Sequence, residues 1–172
     1  MIFFGSLRTD IRAASWFAAL GEELTEGDIV DARAYGDGRD VDHVRSWREA
    51  EALLKSPDAS LELWDRDEAL RKKLLAEAEA QYPERALWTS LSELTTEAGD
   101  LVHGKAATAA ARMGGAAAAS IHVAAGAAAQ TVYQLAVARM AGNDTSPFES
   151  KFRLFAAGRW PLGVAGTRLV LF

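Results

Sequence analysis

The chain has 172 residues, of which 49 % are hydrophobic and 25 % charged, with no cysteine and a formal net charge of −5. A domain of this size buries most of its apolar surface unaided. The missing cysteines exclude disulfides, thiolate metal sites and cysteine nucleophiles, and suit the cytoplasm, while the acidic balance argues against nucleic acid as a partner.

The apolar opening is too short for the core of a signal peptide, and Ile2 to Phe4 reads instead as a strand. Thr9 or Asp10 then caps a first helix through Leu20 that buries Ile11, Ala14, Trp16 and Phe17, and Gly21 ends it. Residues 22–42 hold eight acids against Arg33 and Arg39, whereas residues 139–172 hold five basic and two acidic side chains. The asymmetry predicts that the acidic stretch faces the basic one, within the chain or across a dimer. Residues 28–35 read as a short strand, and Gly36-Asp37-Gly38 as a turn.

A second helix is predicted over 42–55, with Val44, Trp47, Ala50 and Leu54 on one face. Asp65 and Glu68 have capping-box spacing and start a third helix. Its solvent side pairs Glu68 with Lys72 and Asp67 with Arg71. Pro83 suits the first turn of a long helix whose seam is Leu87, Leu91, Leu94, Ala98 and Leu101. Past Gly114-Gly115 a second seam appears, Ile121, Ala125, Ala128, Val132 and Leu135, so the two helices form an antiparallel hairpin at the centre of a bundle. Residues 113–138 carry no formal charge and would span roughly 39 Å as a helix. Their alanine, glycine and polar content nevertheless predicts a buried helix rather than a membrane span.

Gly142-Asn143 closes the hairpin, and Ser146-Pro147-Phe148-Glu149 opens a short helix that lines up Phe148, Phe152 and Phe155. Residues 159–164 and 167–172 then form a β-hairpin about Ala165-Gly166. The expected fold is therefore mainly α, in the α+β class. It is one domain over 1–172, with a helical body over about 9–157 of five or six helices. A small antiparallel sheet comes from the hairpin of about 159–172 and the N-terminal strand.

The candidates for chemistry are few. Residues 99–106, Gly99-Asp-Leu-Val-His-Gly104-Lys105-Ala106, match a phosphate-binding loop until Ala106, which lacks the hydroxyl that binds magnesium. Glu93, Glu97 and Asp100 form one acidic stripe on the long helix, the spacing with which paired carboxylates hold magnesium in all-helical nucleotide pyrophosphatases. His43, His103 and His122 suggest a metal triad, but helical phase turns His103 and His122 apart. The run from Lys151 to Trp160 interleaves cations with aromatics, which makes Arg159 and Trp160 a candidate partner-binding surface. The leading expectation is a non-enzymatic cytoplasmic binding or regulatory domain without a cofactor, self-associating as a homodimer or engaging a protein partner. The alternative is a magnesium-dependent nucleotide phosphohydrolase that uses Glu93, Glu97 and Asp100.

Overall fold

The computed structural model describes residues 4–172. The fold is mainly α with a small sheet. Its elements in chain order are α1 (Gly5–Ala13), α2 (Glu26–Tyr35), β1 (Val41–His43), α3 (Trp47–Leu54), β2 (Ala59–Ser60), α4 (Glu62–Glu79), α5 (Glu84–Arg112), α6 (Ala118–Met140), α7 (Pro147–Ala156), β3 (Pro161–Ala165) and β4 (Arg168–Leu171).

The hairpin of α5 and α6 is the centre of the molecule. α5 runs unbroken through Gly99 and Gly104, and the turn that follows uses Gly114 and Gly115 at φ of 92° and 89°. Such angles cost a residue with a Cβ but not glycine. α6 is buried over most of its circumference, including Ala124, Ala128, Val132, Leu135 and Ala136. Small side chains let α4, α5 and α7 all approach it. Among the described residues no helix is long and apolar enough to cross a membrane.

The N-terminal third departs from the sequence pattern. α1 begins at Gly5 and stops at Ala13, short of the predicted end. The chain then turns, with Phe17 in the left-handed region at φ 58°, and Trp16 and Phe17 are buried against Phe152 and Phe155. Amides of Ser15 and Ala19 donate to the carbonyls of Ala156 and Gly158, so tertiary partners replace the helical ones. The strand predicted over 28–35 is instead α2. Thr25 accepts from the amide of Asp28 while the Asp28 carboxylate accepts from that of Thr25, a reciprocal cap that starts a helix.

The sheet is mixed rather than antiparallel, in the order β1-β4-β3-β2. The predicted C-terminal hairpin is its centre, with Val164 opposite Leu169. Its flanks come from mid-chain. β1 pairs parallel to β4, Val41 with Leu169, and takes the start of the helix predicted from 42. That helix begins after Ser46, whose hydroxyl accepts from Glu49. β2 pairs Ser60 with Val164. Of the predicted N-terminal strand, residues 2 and 3 lie outside the described residues, and Phe4 stands in a turn ahead of α1. α4 starts three residues before Asp65, and Glu68 turns from the expected cap to Arg71.

The acidic and basic stretches do meet within the chain. Asp31 accepts from Arg153 at 2.8 Å, Asp42 lies 2.7 Å from Arg168, and Asp28 lies 3.0 Å from Arg159.

Candidate functional site

The acidic stripe of α5 faces arginines of α1. Arg8 and Arg12 both donate to the Glu97 carboxylate, Arg12 through Nε at 2.9 Å, and Arg8 stands 3.9 Å from Glu93. The bonds from Arg12, with Arg8 beside it, hold the Glu97 carboxyl below the usual carboxylate range. Asp100, further along the helix, is exposed. Among the described residues no group of three or more histidine, aspartate or glutamate side chains is placed to hold a metal ion. Glu93 and Glu97, read as magnesium ligands, are here partners of cations, because α1 lays its arginines alongside them.

Arg159 and Trp160 lie inside the protein, each 2 % exposed. Arg159 donates to Asp28 and to the carbonyls of Ala19, Glu22 and Glu23, which clamps residues 19–28 to the connection between α7 and β3. Trp160 packs on Trp47 and Phe172, with ring centroids 5.8 and 6.4 Å away. The sequence pattern reads this pair as a contact surface. Burial makes Arg159 an internal clamp instead.

Two of the three histidines meet. The rings of His103 and His122 stand with centroids 5.0 Å apart instead of diverging. The buried stripe of α5 explains the difference. It runs Leu94, Ala98, Val102, Ala106 and Ala110 in steps of four, so Val102 replaces the half-buried Leu101 in the seam. Each step of four rotates the face by about 40°, which brings His103 from the far side of the helix to its flank. His43 is elsewhere, in β1, and its buried Nε2 has no hydrogen-bond partner among the described residues.

The most developed polar arrangement lies where α2, α4, α6 and α7 converge. Asp67 of α4 is 1 % exposed and accepts from the Tyr35 hydroxyl at 2.9 Å, from Lys151 Nζ at 2.9 Å and from Arg66 Nη2 at 2.7 Å. Lys151 also donates to Gln134 at 3.1 Å, and its Nζ lies 5.3 Å from the centre of the Tyr35 ring. Arg66 donates further to the Tyr35 carbonyl and to Asp37. Burial pushes the Lys151 ammonium below its usual range against the opposing pull of Asp67. Burial, and then the Asp67 carboxylate, push the Tyr35 phenol well above its own.

Tyr35 and Lys151 of this network line a cleft of about 180 Å³ between α4, α6 and β3. Its walls include Trp160, Pro161, Leu162 and Ala127, and its rim carries large apolar side chains open to water: Leu61 is 69 % exposed, Trp64 53 % and Val123 47 %. Lys151 is the one charged residue of the lining, and no carboxylate faces the cleft from it. Two of the three Nζ protons have acceptors within the described residues, and the third has none there. Chemically, the cleft offers an apolar enclosure with donors at its base.

Tyr35, Asp67 and Lys151 are a group that the sequence pattern does not assemble. It places Tyr35 in a strand, Asp67 on the solvent side of α4 opposite Arg71, and Lys151 in the cation–aromatic run. One signal exists: Leu63, Asp67, Leu74 and Ala78 share the buried stripe of α4, with steps of 4, 7 and 4. No protein-family model, curated protein or solved structure matches the chain.

Proposed function

We propose that this protein is a non-enzymatic binding domain whose cleft above Lys151 takes a bulky apolar side chain of a partner protein together with an adjacent carboxylate. The observation that carries this reading is the pairing of an exposed apolar rim, Leu61, Trp64 and Val123, with Lys151, the one charged residue of the lining, whose partner Asp67 is not among the lining residues. Large exposed apolar groups gathered at one concavity mark interaction sites. The volume supports a side chain as the occupant, since it falls below the roughly 300–1,000 Å³ typical of small-molecule pockets. The unassigned Nζ proton gives the carboxylate a charge-assisted donor. Binding fits the floor better than catalysis does, because the Tyr35 hydroxyl and both Asp67 oxygens are already engaged with one another and with cations.

N-acetylphenylalanine is the minimal probe, with its amide as the uncharged control. The acid is expected to quench or shift the fluorescence of Trp64 at the rim, the amide to bind more weakly, and Lys151→Met to abolish the difference. Equal binding of acid and amide to the native protein overturns the assignment of Lys151. Absence of binding by either at about 10 mM, a Kd giving less than about 3 kcal/mol, overturns the site.

The same rim favours a second reading, pairing of two copies of this chain through Trp64 and Leu61. A sedimentation profile that stays monomeric at high micromolar concentration removes it. The magnesium-dependent alternative draws no support from Glu97, which is held by two guanidinium groups.

A further inference from the structure

The α5–α6 hairpin carries a second arrangement, remote in chemistry from the cleft. His103 and His122 project from facing helices, both exposed, with ring centroids 5.0 Å apart and planes inclined by 46°. Neither imidazole has a hydrogen bond or ion pair within the described residues. Two imidazoles that share one zinc ion, each with Zn–N of about 2.0–2.1 Å and tetrahedral angles, have ring centroids roughly 5 Å apart. We propose that His103 and His122 form a two-imidazole clamp for a divalent transition-metal ion across the helix hairpin.

The surroundings suit an ion that completes its shell with water. Gly99 stands one turn before His103 and Gly126 one turn after His122, which in an antiparallel pair is the same level of the hairpin. At both positions an added Cβ would meet nothing within 4 Å. An open notch thus flanks the imidazoles. Asp100, three residues before His103 on the same side of α5, offers the nearest carboxylate along that helix for a water-mediated contact. Imidazole nitrogens suit zinc, nickel and copper over magnesium or calcium. The direct ligands are therefore imidazoles rather than the carboxylate stripe read from the sequence, of which only Asp100 lies within three residues of His103.

The test is a zinc titration of the full chain at neutral pH against a chromogenic chelator, with nickel in parallel. One zinc per chain is expected, with affinity at least about tenfold weaker in both His103→Ala and His122→Ala. The zinc-dependent rise in Tm should disappear in each variant. Both positions are exposed, so circular dichroism should show unchanged helicity. Three results overturn the clamp. The first is zinc affinity equal in the native chain and in the double histidine variant. The second is affinity lost in Glu97→Gln but kept in the histidine variants. The third is half an ion per chain accompanied by dimerisation.

Discussion

Replacing Asp67 by Asn keeps the shape of the side chain and removes its charge, which makes it the sharpest test of the network beneath the cleft. In the native protein one carboxylate, 1 % exposed, receives the Tyr35 hydroxyl, Lys151 Nζ and the Arg66 guanidinium. The asparagine leaves Lys151 buried without its counter-charge and points an amide group at donors. Breaking a buried ion pair by removing one partner costs about 3–5 kcal/mol. For a chain of this length each kcal/mol shifts Tm by about 2–4 °C, so Asp67→Asn should lower it by about 6–20 °C. Urea unfolding followed by tryptophan fluorescence gives the free energy directly. Adding Lys151→Met should restore part of the loss, since the second change removes the stranded ammonium. The coupling expected between such contacting residues is about 0.5–3 kcal/mol. A loss below about 1 kcal/mol for Asp67→Asn refutes the reasoning. So does a double variant no more stable than the single one.

Other outcomes follow from the same geometry. Arg159→Lys should cost about 3 kcal/mol by urea unfolding, because a point charge cannot reach Asp28 and three carbonyls as the planar fork does. Gly158→Ala should cost about 1–3 kcal/mol, since φ there is 90° and the new Cβ would stand 2.7 Å from the Ala19 amide nitrogen. His43 gives a pH prediction. Burial first, then Arg45 and Arg159, hold its imidazole below the ordinary value of 6.5, with Glu23 and Glu49 opposing them. The unfolded chain therefore binds this proton more readily, so stability is complete above that value and declines as pH falls below it. Glu23, Glu68 and Glu97, held below their ordinary 4.5 by arginine hydrogen bonds, lose their contributions only at lower pH. Thermal melts between pH 7.5 and 5 should thus fall in the native protein and fall less in His43→Leu.

Much of the helical body is legible from spacing. Glycine pairs and alternating steps of three and four residues locate α5, α6 and their turn, because a buried helix face imposes its period on the sequence. The proline at the start of α7 and the turn at Gly166 are equally local signals. What spacing does not reveal is structure decided by distant partners. Residues 28–35 look like a strand from Ile29, Val30 and the turn signal after them, yet Asp28 is buried on Arg159 and caps α2 with Thr25. β1 and β2 are three and two residues long, too short to show a period, and exist through their pairing with β4 and β3. The candidate site illustrates the same limit. A buried aspartate in a helix resembles a surface one until three partners from α2, α4 and α7 converge on it.

The clamp made by Arg159 also sets an order of events during synthesis. Residues 19–28 and their capped helix are translated 131 positions before the guanidinium that completes them, counted from Asp28. At about 5–20 residues per second, that interval is about 7–26 s. Throughout it, Asp28 lacks its cation, and Trp16 and Phe17 lack the α7 phenylalanines that cover them. Residues 16–28 therefore wait for partners supplied by residues 152–159. A ribosome stalled before residue 159 would hold a chain whose N-terminal layer stayed unlatched.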